Sequence, residues 1–371
     1  MNTSTECKPM KRRSFLKVAA GGGAAATLAA PAIAQSQPKV AWRLTSGFPR
    51  SLDTIFGTAQ TFADHVKAMT DGNFEIEVFP AGEIVPTPQA AEAVGTATVE
   101  MAHTCSYYYW GKDPTFALGT AIPFSLNARL MNGWLYQGGG NELLNAFYAK
   151  QNLYGMPGGN TGVQMGGWWR KEINGLDDLK GVKMRIAGIA GKVIEKLGVV
   201  PQQIPGGDIY PALERGTIDA AEWVGPYDDL KLGFYKVAPN YYYPGFWEGG
   251  PAIHFFVNLD KWNALSPAYQ AILQNAAAYA NTDMMAKYDT KNPEALRTLV
   301  AGGTKLKVFP QDVVDAAYTA AHQLYDEISA QNADFKAIFD SVKAYRGEGY
   351  LWWQVAEYSY DTFMIRNRTK G

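Results

Sequence analysis

The chain has 371 residues, 47% of them hydrophobic and 19% charged, with 34 basic and 35 acidic side chains and a net charge of −1. That length predicts about two domains with a sizeable core, and the charge balance excludes a basic nucleic-acid-binding surface. Beyond the N-terminal segment no stretch is apolar enough to fill a bilayer span of about 20 residues.

The N-terminus reads as an export signal. Arg12-Arg13-Ser14-Phe15-Leu16-Lys17 is followed by a mild Ala/Gly/Leu run from Val18 to Ala30, and Ala32 and Ala34 stand where a signal peptidase reads. The adjacent arginines make it a twin-arginine signal over residues 1–34, and the run is too short and too rich in Gly and Ala for an anchor. Its removal leaves 337 residues with 29 basic and 34 acidic side chains, a net −5, bound for the periplasm. Cys7 leaves with the signal. Cys105 is then alone, so it forms no intrachain disulfide and reads as a small buried residue of the strand 101–105.

In chain order, 39–44 reads as a strand and 54–69 as a helix, with Ile55, Ala59, Phe62, Val66 and Met69 on one face and Asp71-Gly72 as its stop. Strand 74–79, helix 89–97 and strand 100–105 complete a β-α-β-α-β order, the pattern of a mostly parallel, helix-covered sheet. Gly-rich segments follow at 138–140 and 155–167. The order then returns as strand 182–186, helix 190–197, strand 199–204, helix 209–215 and strand 218–223. Pro80-Ala81-Gly82-Glu83-Ile84-Val85-Pro86 echoes Pro205-Gly206-Gly207-Asp208-Ile209-Tyr210-Pro211, so the two halves form a pseudo-repeat of α/β lobes with a cleft between them. Strand 252–258, helix 267–288, strand 304–309 and helices 312–331 and 335–345 close the chain. The aromatic tail 350–366 reads as packed core or a subunit contact.

Several enzyme signatures are missing. There is no Gly-x-Ser-x-Gly elbow, and His65, His103, His254 and His322 are scattered without zinc-ligand spacing. Gly188-Ile-Ala-Gly191-Lys192 is too short for a phosphate loop and lacks the hydroxyl residue after the lysine.

Three charges sit where charge is costly. Arg185 interrupts the apolar strand 182–186, Glu222 ends the strand after Ala220-Ala221, and Glu248 lies in Phe246-Trp247-Glu248-Gly249-Gly250. Ligands of open α/β sheets bind beyond the carboxyl ends of strands, so these charges suit a cleft wall. An internal salt bridge between Arg185 and one of the acids is the equally weighted alternative.

Asp178-Leu179-Lys180-Gly181-Val182-Lys183-Met184-Arg185-Ile186, Ile218-Asp219-Ala220-Ala221-Glu222-Trp223 and Asn258-Leu259-Asp260-Lys261-Trp262-Asn263-Ala264-Leu265-Ser266 resemble segments of the solute receptors of tripartite ATP-independent periplasmic (TRAP) transporters. Gly162-Val163-Gln164-Met165-Gly166-Gly167-Trp168, the run from Glu222 to Asp229, and Gly245-Phe246-Trp247-Glu248-Gly249 are similar to its 2-oxo-acid and monocarboxylate branch. The resemblance runs over nearly the whole mature chain. It implies a two-lobed α/β periplasmic-binding-protein fold, type II-like, with an interdomain cleft. Lobe I would hold 38–160 and about 250–300, lobe II 161–249 and about 301–335, and a long C-terminal helical extension 336–371.

The resemblance also implies roles. Arg185 would pair with the substrate carboxylate, for which a guanidinium fork is suited. Gln164, Glu222, the Trp223 carbonyl and Glu248 would bind a cation beside the substrate, and four oxygen donors suit Na⁺ or Ca²⁺. Two acids and one arginine leave −1, which leans to Ca²⁺ with a monocarboxylate, whereas the branch resembled leans to Na⁺. Tyr108, in the run Tyr107-Tyr108-Tyr109-Trp110 after the third strand, is expected to enclose the substrate; Trp168 and Trp169 read equally as core. The protein is thus expected to capture a small pyruvate- or lactate-like acid without turnover and deliver it to TRAP membrane permease subunits, with a homodimer through the C-terminal extension. The competing expectations are a receptor of an ATP-driven importer, a periplasmic enzyme using Glu222 or Glu248 as base, and an interaction protein acting through its aromatic tail. Twin-arginine export, which carries folded proteins, keeps the enzyme in contention.

Overall fold

A computed structural model describes residues 38–369. The export signal expected over 1–34 lies outside the described residues.

Two sheets organise residues 39–369. The first has the order β2-β1-β3-β10-β4, from β1 (Val40–Ser46), β2 (Phe74–Phe79), β3 (Met101–Thr104), β4 (Leu153–Asn160) and β10 (Ala252–Asn258). The second has the order β11-β9-β5-β8-β6-β7, from β5 (Trp168–Trp169), β6 (Lys183–Arg185), β7 (Val200–Gln202), β8 (Ala220–Ala221), β9 (Asn240–Tyr243) and β11 (Lys305–Val308). The chain leaves the first sheet after β4, builds five strands of the second, returns as β10 between β3 and β4, and ends the second with β11.

The expected β-α-β-α-β orders are present, and the second sheet is mostly parallel, with β11 also parallel to β9, but neither sheet is parallel throughout. β1 runs parallel to β2 and β3, and β6 to β7 and β8, while β10 is antiparallel to β3 and β4 and β5 is antiparallel to β8 and β9. The returning strands come from far along the chain, where periodicity gives no pairing direction.

The helix Ile55–Met69 buries Ile55, Ala59, Phe62 and Val66 against the first sheet, as the spacing predicts. Met69, expected on that face, is exposed, because the last turn runs past the sheet before Asp71 and Gly72 take the left-handed conformation that ends it.

The segment 155–167, read as a glycine-rich connection, begins inside a buried strand. Its glycines leave room for rings and thioether. A Cβ at Gly158 would lie 2.1 Å from the Phe255 ring, and one at Gly159 would lie 2.5 Å from Met284. Glycine here serves packing, which composition alone disguises as a loop.

The long helix runs Pro267–Ala301, 13 residues past the expected end at 288, and carries Pro293 inside it. Its second half is held by tertiary contacts. Asn292 Oδ1 accepts from Tyr227 N at 3.0 Å and the Tyr288 hydroxyl donates to Asp228 Oδ2 at 2.8 Å. Helix Gln311–Gln331 is followed by Ala333–Val355, capped by the Asn332 side chain, and Glu357–Asn367. The second half of Ala333–Val355 is tied down by Arg346, which donates to the Phe124 carbonyl at 2.8 Å, and Tyr350, which donates to the Ser125 carbonyl at 3.2 Å. From Leu351 onward the large apolar side chains other than the half-buried Trp353 are exposed, Trp352 by 63% and Phe363 by 64%. Of the two expectations for the tail, packed core is therefore wrong within this chain.

Candidate functional site

Strand ends and close backbone approaches build the site. β6 ends on Arg185, and β8 hands the chain to Glu222 and Trp223. Gly167, just before β5, lies against β8 at φ 80°, where a Cβ would stand 2.5 Å from the Ala221 carbonyl oxygen. Backbone hydrogen bonds then gather distant segments. Gln164 N donates to the Glu248 carbonyl, Gly245 N to the Gln164 carbonyl and Met165 N to the Val224 carbonyl, each at 3.0 Å. Gln164, Glu222–Val224 and Glu248 thus meet although 84 residues separate the first from the last.

Arg185 and Glu222 are both fully enclosed and form an ion pair at 2.5 Å. Arg185 Nη1 also donates to the Glu222 carbonyl at 2.6 Å, and Nε to the Ile204 carbonyl at 3.1 Å. Glu222 Oε1 accepts a further bond from Ala187 N at 3.1 Å, and the guanidinium lies 5.1 Å from the Trp223 ring. The salt bridge that the sequence left as an alternative is therefore present. The two-nitrogen fork expected for a carboxylate is not free here, because Nε and Nη1 are engaged with the protein; Nη2 makes no hydrogen bond among the described residues.

The acids are short of donors. Glu248 is met by the Tyr107 hydroxyl, at 3.2 and 3.3 Å to its two oxygens. Glu222 Oε2 and Gln164 Oε1 are buried with no partner among the described residues. Burial pushes the Glu222 carboxyl up, against the pull of Arg185 and the Ala187 N–H. Burial and the Glu222 charge push Glu248 well above the usual carboxylate range, against Arg185 and Tyr107. Two buried carboxylates, one of them with an unpaired oxygen, beside an unpaired amide oxygen suit a hard cation. Among the described residues no three His, Cys, Asp or Glu side chains group as a metal site. Any cation here would therefore depend on the Gln164 oxygen or a backbone carbonyl.

A cavity with about 240 Å³ of space between atoms opens against these groups, lined by Gln164, Arg185, Trp223 and Tyr108 among the expected residues. Glu222 stands behind Arg185, and Glu248 reaches the cavity wall through Tyr107. Tyr107 was the residue missed. It is buried and lies against Gly188, whose φ of 64° leaves the space that its ring occupies. The aromatic run pointed to this place but not to which ring faces the acids. Phe48, Ile55 and Ile253 give the cavity an apolar side. Cys105 also lines it, just past β3, and burial followed by the Glu248 charge holds its thiol well above its ordinary range, in the neutral form.

Trp168 and Trp169 are core. Trp168 stacks on Tyr241 at 3.9 Å, and its indole N–H donates to Asp229 at 2.9 Å; Trp169 donates to the Gly166 carbonyl. Burial raises the Asp228 carboxyl to about 6 and Asp229 to about 7, against Tyr288 and Tyr241 respectively. These two acids lie next to the Trp223–Val224 segment and were not singled out from the sequence.

The profile of the bacterial extracellular solute-binding proteins, family 7, matches residues 46–332. The chain belongs to that family. A twin-arginine translocation signal profile matches residues 9–29, and an exported member of this family resides in the periplasm. The chain is 47% identical over 360 residues to the monocarboxylate 2-oxoacid-binding periplasmic protein of Nostoc sp. (strain PCC 7120 / SAG 25.82 / UTEX 2576), covering 95% of this chain and 99% of that one. A TRAP transporter solute-binding protein of Bordetella bronchiseptica RB50 superposes with a TM-score of 0.89 at 50% identity, over 90% of this chain and 99% of that one. It was solved as a mixed-occupancy dimer, with copurified calcium and picolinate in one active site and an apo site. A TRAP periplasmic solute-binding protein of Pseudoalteromonas atlantica T6c, with bound sodium and pyruvate, superposes with a TM-score of 0.84 at 39% identity, over 87% of this chain and 98% of that one. The fold is accordingly the two-lobed α/β fold of these receptors.

Proposed function

We propose that the protein is a periplasmic receptor that binds a small monocarboxylate or 2-oxo acid together with a cation and delivers it to a TRAP membrane permease. The observation that carries this is that buried Arg185 and Gln164 line one cavity, with a partnerless oxygen on Gln164 (Oε1) and another on Glu222 (Oε2), the acid paired with Arg185. Arg185 supplies a positive charge toward a ligand carboxylate, with Tyr108 covering the carbon chain. Gln164, Glu222, the Trp223 carbonyl and Glu248 hold the cation. With both acids ionised the pocket carries −1, which Ca²⁺ plus a monocarboxylate balances. The Bordetella relative's calcium agrees with that count, so Ca²⁺ is the first assignment and Na⁺ the second.

The acid is bound and released unchanged. Lobe I comprises 38–160 with about 250–300 and lobe II 161–249 with about 301–335. Their closure over the ligand is a hinge motion in which the ligand stabilises the closed state. The extension 336–371, whose exposed side chains include Leu351, Trp352, Tyr358, Phe363 and Ile365, pairs two copies.

A thermal-shift screen of ligand-stripped mature protein tests this, with short 2-oxo, 2-hydroxy and dicarboxylic acids, each with Na⁺, Ca²⁺ or chelator. A cation-dependent shift with a short monocarboxylate supports the receptor, and no shift with any acid contradicts it.

A further inference from the structure

Asp53 stands in the turn between β1 and the helix Ile55–Met69, which packs on the first sheet. Three groups from elsewhere in the chain converge on its carboxylate. The Tyr227 hydroxyl donates to Oδ2 at 2.9 Å, Lys291 Nζ lies 3.3 Å from the same oxygen, and Lys231 Nζ pairs with Oδ1. Lys291 also donates to the Tyr227 hydroxyl at 3.0 Å, and the two ammonium groups sit 4.4 and 4.5 Å from the Tyr227 ring centroid.

Tyr227 and Lys231 belong to the helix Pro226–Leu232, which follows β8 of the second sheet. Asn292 and Tyr288 fasten that helix to the long helix that carries Lys291. The cluster sits at the edge of the candidate cavity. Ile55, two residues after Asp53, lines that cavity, as do Trp223 and Val224, shortly before Tyr227. On another side of the cavity, Gln203 donates to the Tyr108 carbonyl at 3.1 Å, a neutral contact.

One carboxylate from the first lobe thus meets Tyr227 and Lys231 of the second lobe, with Lys291 joining from the long helix, which packs on the helix Ile55–Met69 as well as on Pro226–Leu232. Parting the lobes takes Tyr227 and Lys231 away from that carboxylate, so the cluster favours the closed cleft. We propose that Asp53 is a positioning residue that latches the cleft shut by holding Tyr227 and Lys231 of the second lobe, with Lys291 of the long helix beside them. It rests on the two-lobed receptor described above, and Asp53 needs no contact with the ligand. Burial raises the Asp53 carboxyl, but Lys231, Tyr227 and Lys291 together hold it down at about 2, so the latch stays charged at neutral pH. About half of the Asp53 side chain is exposed, which makes the latch sensitive to salt.

Hydrogen exchange read by mass spectrometry, on ligand-stripped mature protein with no ligand added, measures the opening directly. Asp53→Asn is expected to speed exchange in peptides covering 47–56 and 222–232 by about threefold to tenfold, leaving β4 and β10 unchanged. Salt at 0.5 M should do the same to the wild type and little more to D53N. Lys231→Gln should act in the same direction and add little on top of D53N, as expected for two members of one cluster. Wild-type exchange in D53N, or fully additive effects of the two variants, would overturn the latch. Because no ligand enters this measurement, its failure is distinct from failure of the receptor function, which the thermal-shift screen reads.

Discussion

Arg185 Nη1 stands 2.5 Å from Glu222 Oε1, and the other oxygen of the same carboxylate, Oε2, has no partner among the described residues. One carboxylate therefore does two things. It holds the guanidinium in place on one side and, in the proposed receptor, keeps a lone pair for a cation on the other. Replacing Arg185 removes the one cation that the described residues place against Glu222 and, in the proposed receptor, the ligand's countercharge.

Arg185→Ala is expected to abolish the response to acid while keeping the response to cation. Loss of a buried charge partner corresponds to about 2–5 kcal/mol, or roughly 30-fold to several thousand-fold in affinity. Calorimetric titration with CaCl₂, and with pyruvate in saturating CaCl₂, checks this. Loss of both responses with intact folding would point to an ion pair that is structural alone.

Tyr107→Phe removes the hydroxyl that faces both Glu248 oxygens. Hydrogen bonds to charged groups are worth about 1.5–3 kcal/mol, so cation affinity should fall by about tenfold or more. A Ca²⁺ titration monitored by tryptophan fluorescence reads it. Unchanged affinity would remove Glu248 from the cation site.

Cation stabilisation should grow with pH. Glu222 and Glu248 have folded pKa values raised above their ordinary 4.5, by burial first and, for Glu248, by the neighbouring Glu222 charge. A carboxyl raised in this way binds its proton more tightly in the native state. Its contribution to stability is full below the unfolded pKa and is lost as pH rises through the folded one. A cation compensates the ionised pair, so the Ca²⁺-induced Tm shift should be larger at pH 8 than at pH 5. Thermal melts at the two pH values, with Ca²⁺ and with chelator, decide it, and a shift that shrinks with pH would contradict the assignment.

Deleting residues 350–371 should convert the protein to a monomer. Leu351, Trp352, Val355, Tyr360 and Phe363 are each more than 60% exposed on consecutive helices, an apolar surface that a second copy would cover. Sedimentation velocity at micromolar concentration reads the change. An unaltered assembly state would remove the extension from the dimer contact.

Much of this was legible in the sequence where the signal was local. The strands 74–79 and 252–258 alternate or are continuously apolar, and their limits were read as they stand. Arg185, Glu222 and Glu248 could be singled out because a charge inside an apolar strand or beside buried tryptophans needs a reason. What escaped was non-local. β4 hides behind glycines whose missing side chains are replaced by the rings of Tyr148 and Phe255. The long helix continues through Pro293 because Tyr288 and Asn292 find partners 60 and 65 residues away. Tyr107 could not be told from Tyr108 until the cleft placed Glu248 in front of it.

The central claim is that Arg185 and the oxygens around it bind a carboxylate only when a cation is present. Isothermal titration of ligand-stripped mature protein with pyruvate, in Ca²⁺, in Na⁺ and in chelator, with the recovered acid analysed afterwards, tests it most directly. Saturable binding that requires a cation, is lost in Arg185→Ala and returns the acid unchanged is the predicted result. Cation-independent binding, binding that survives Arg185→Ala, or chemical conversion of the acid would contradict it.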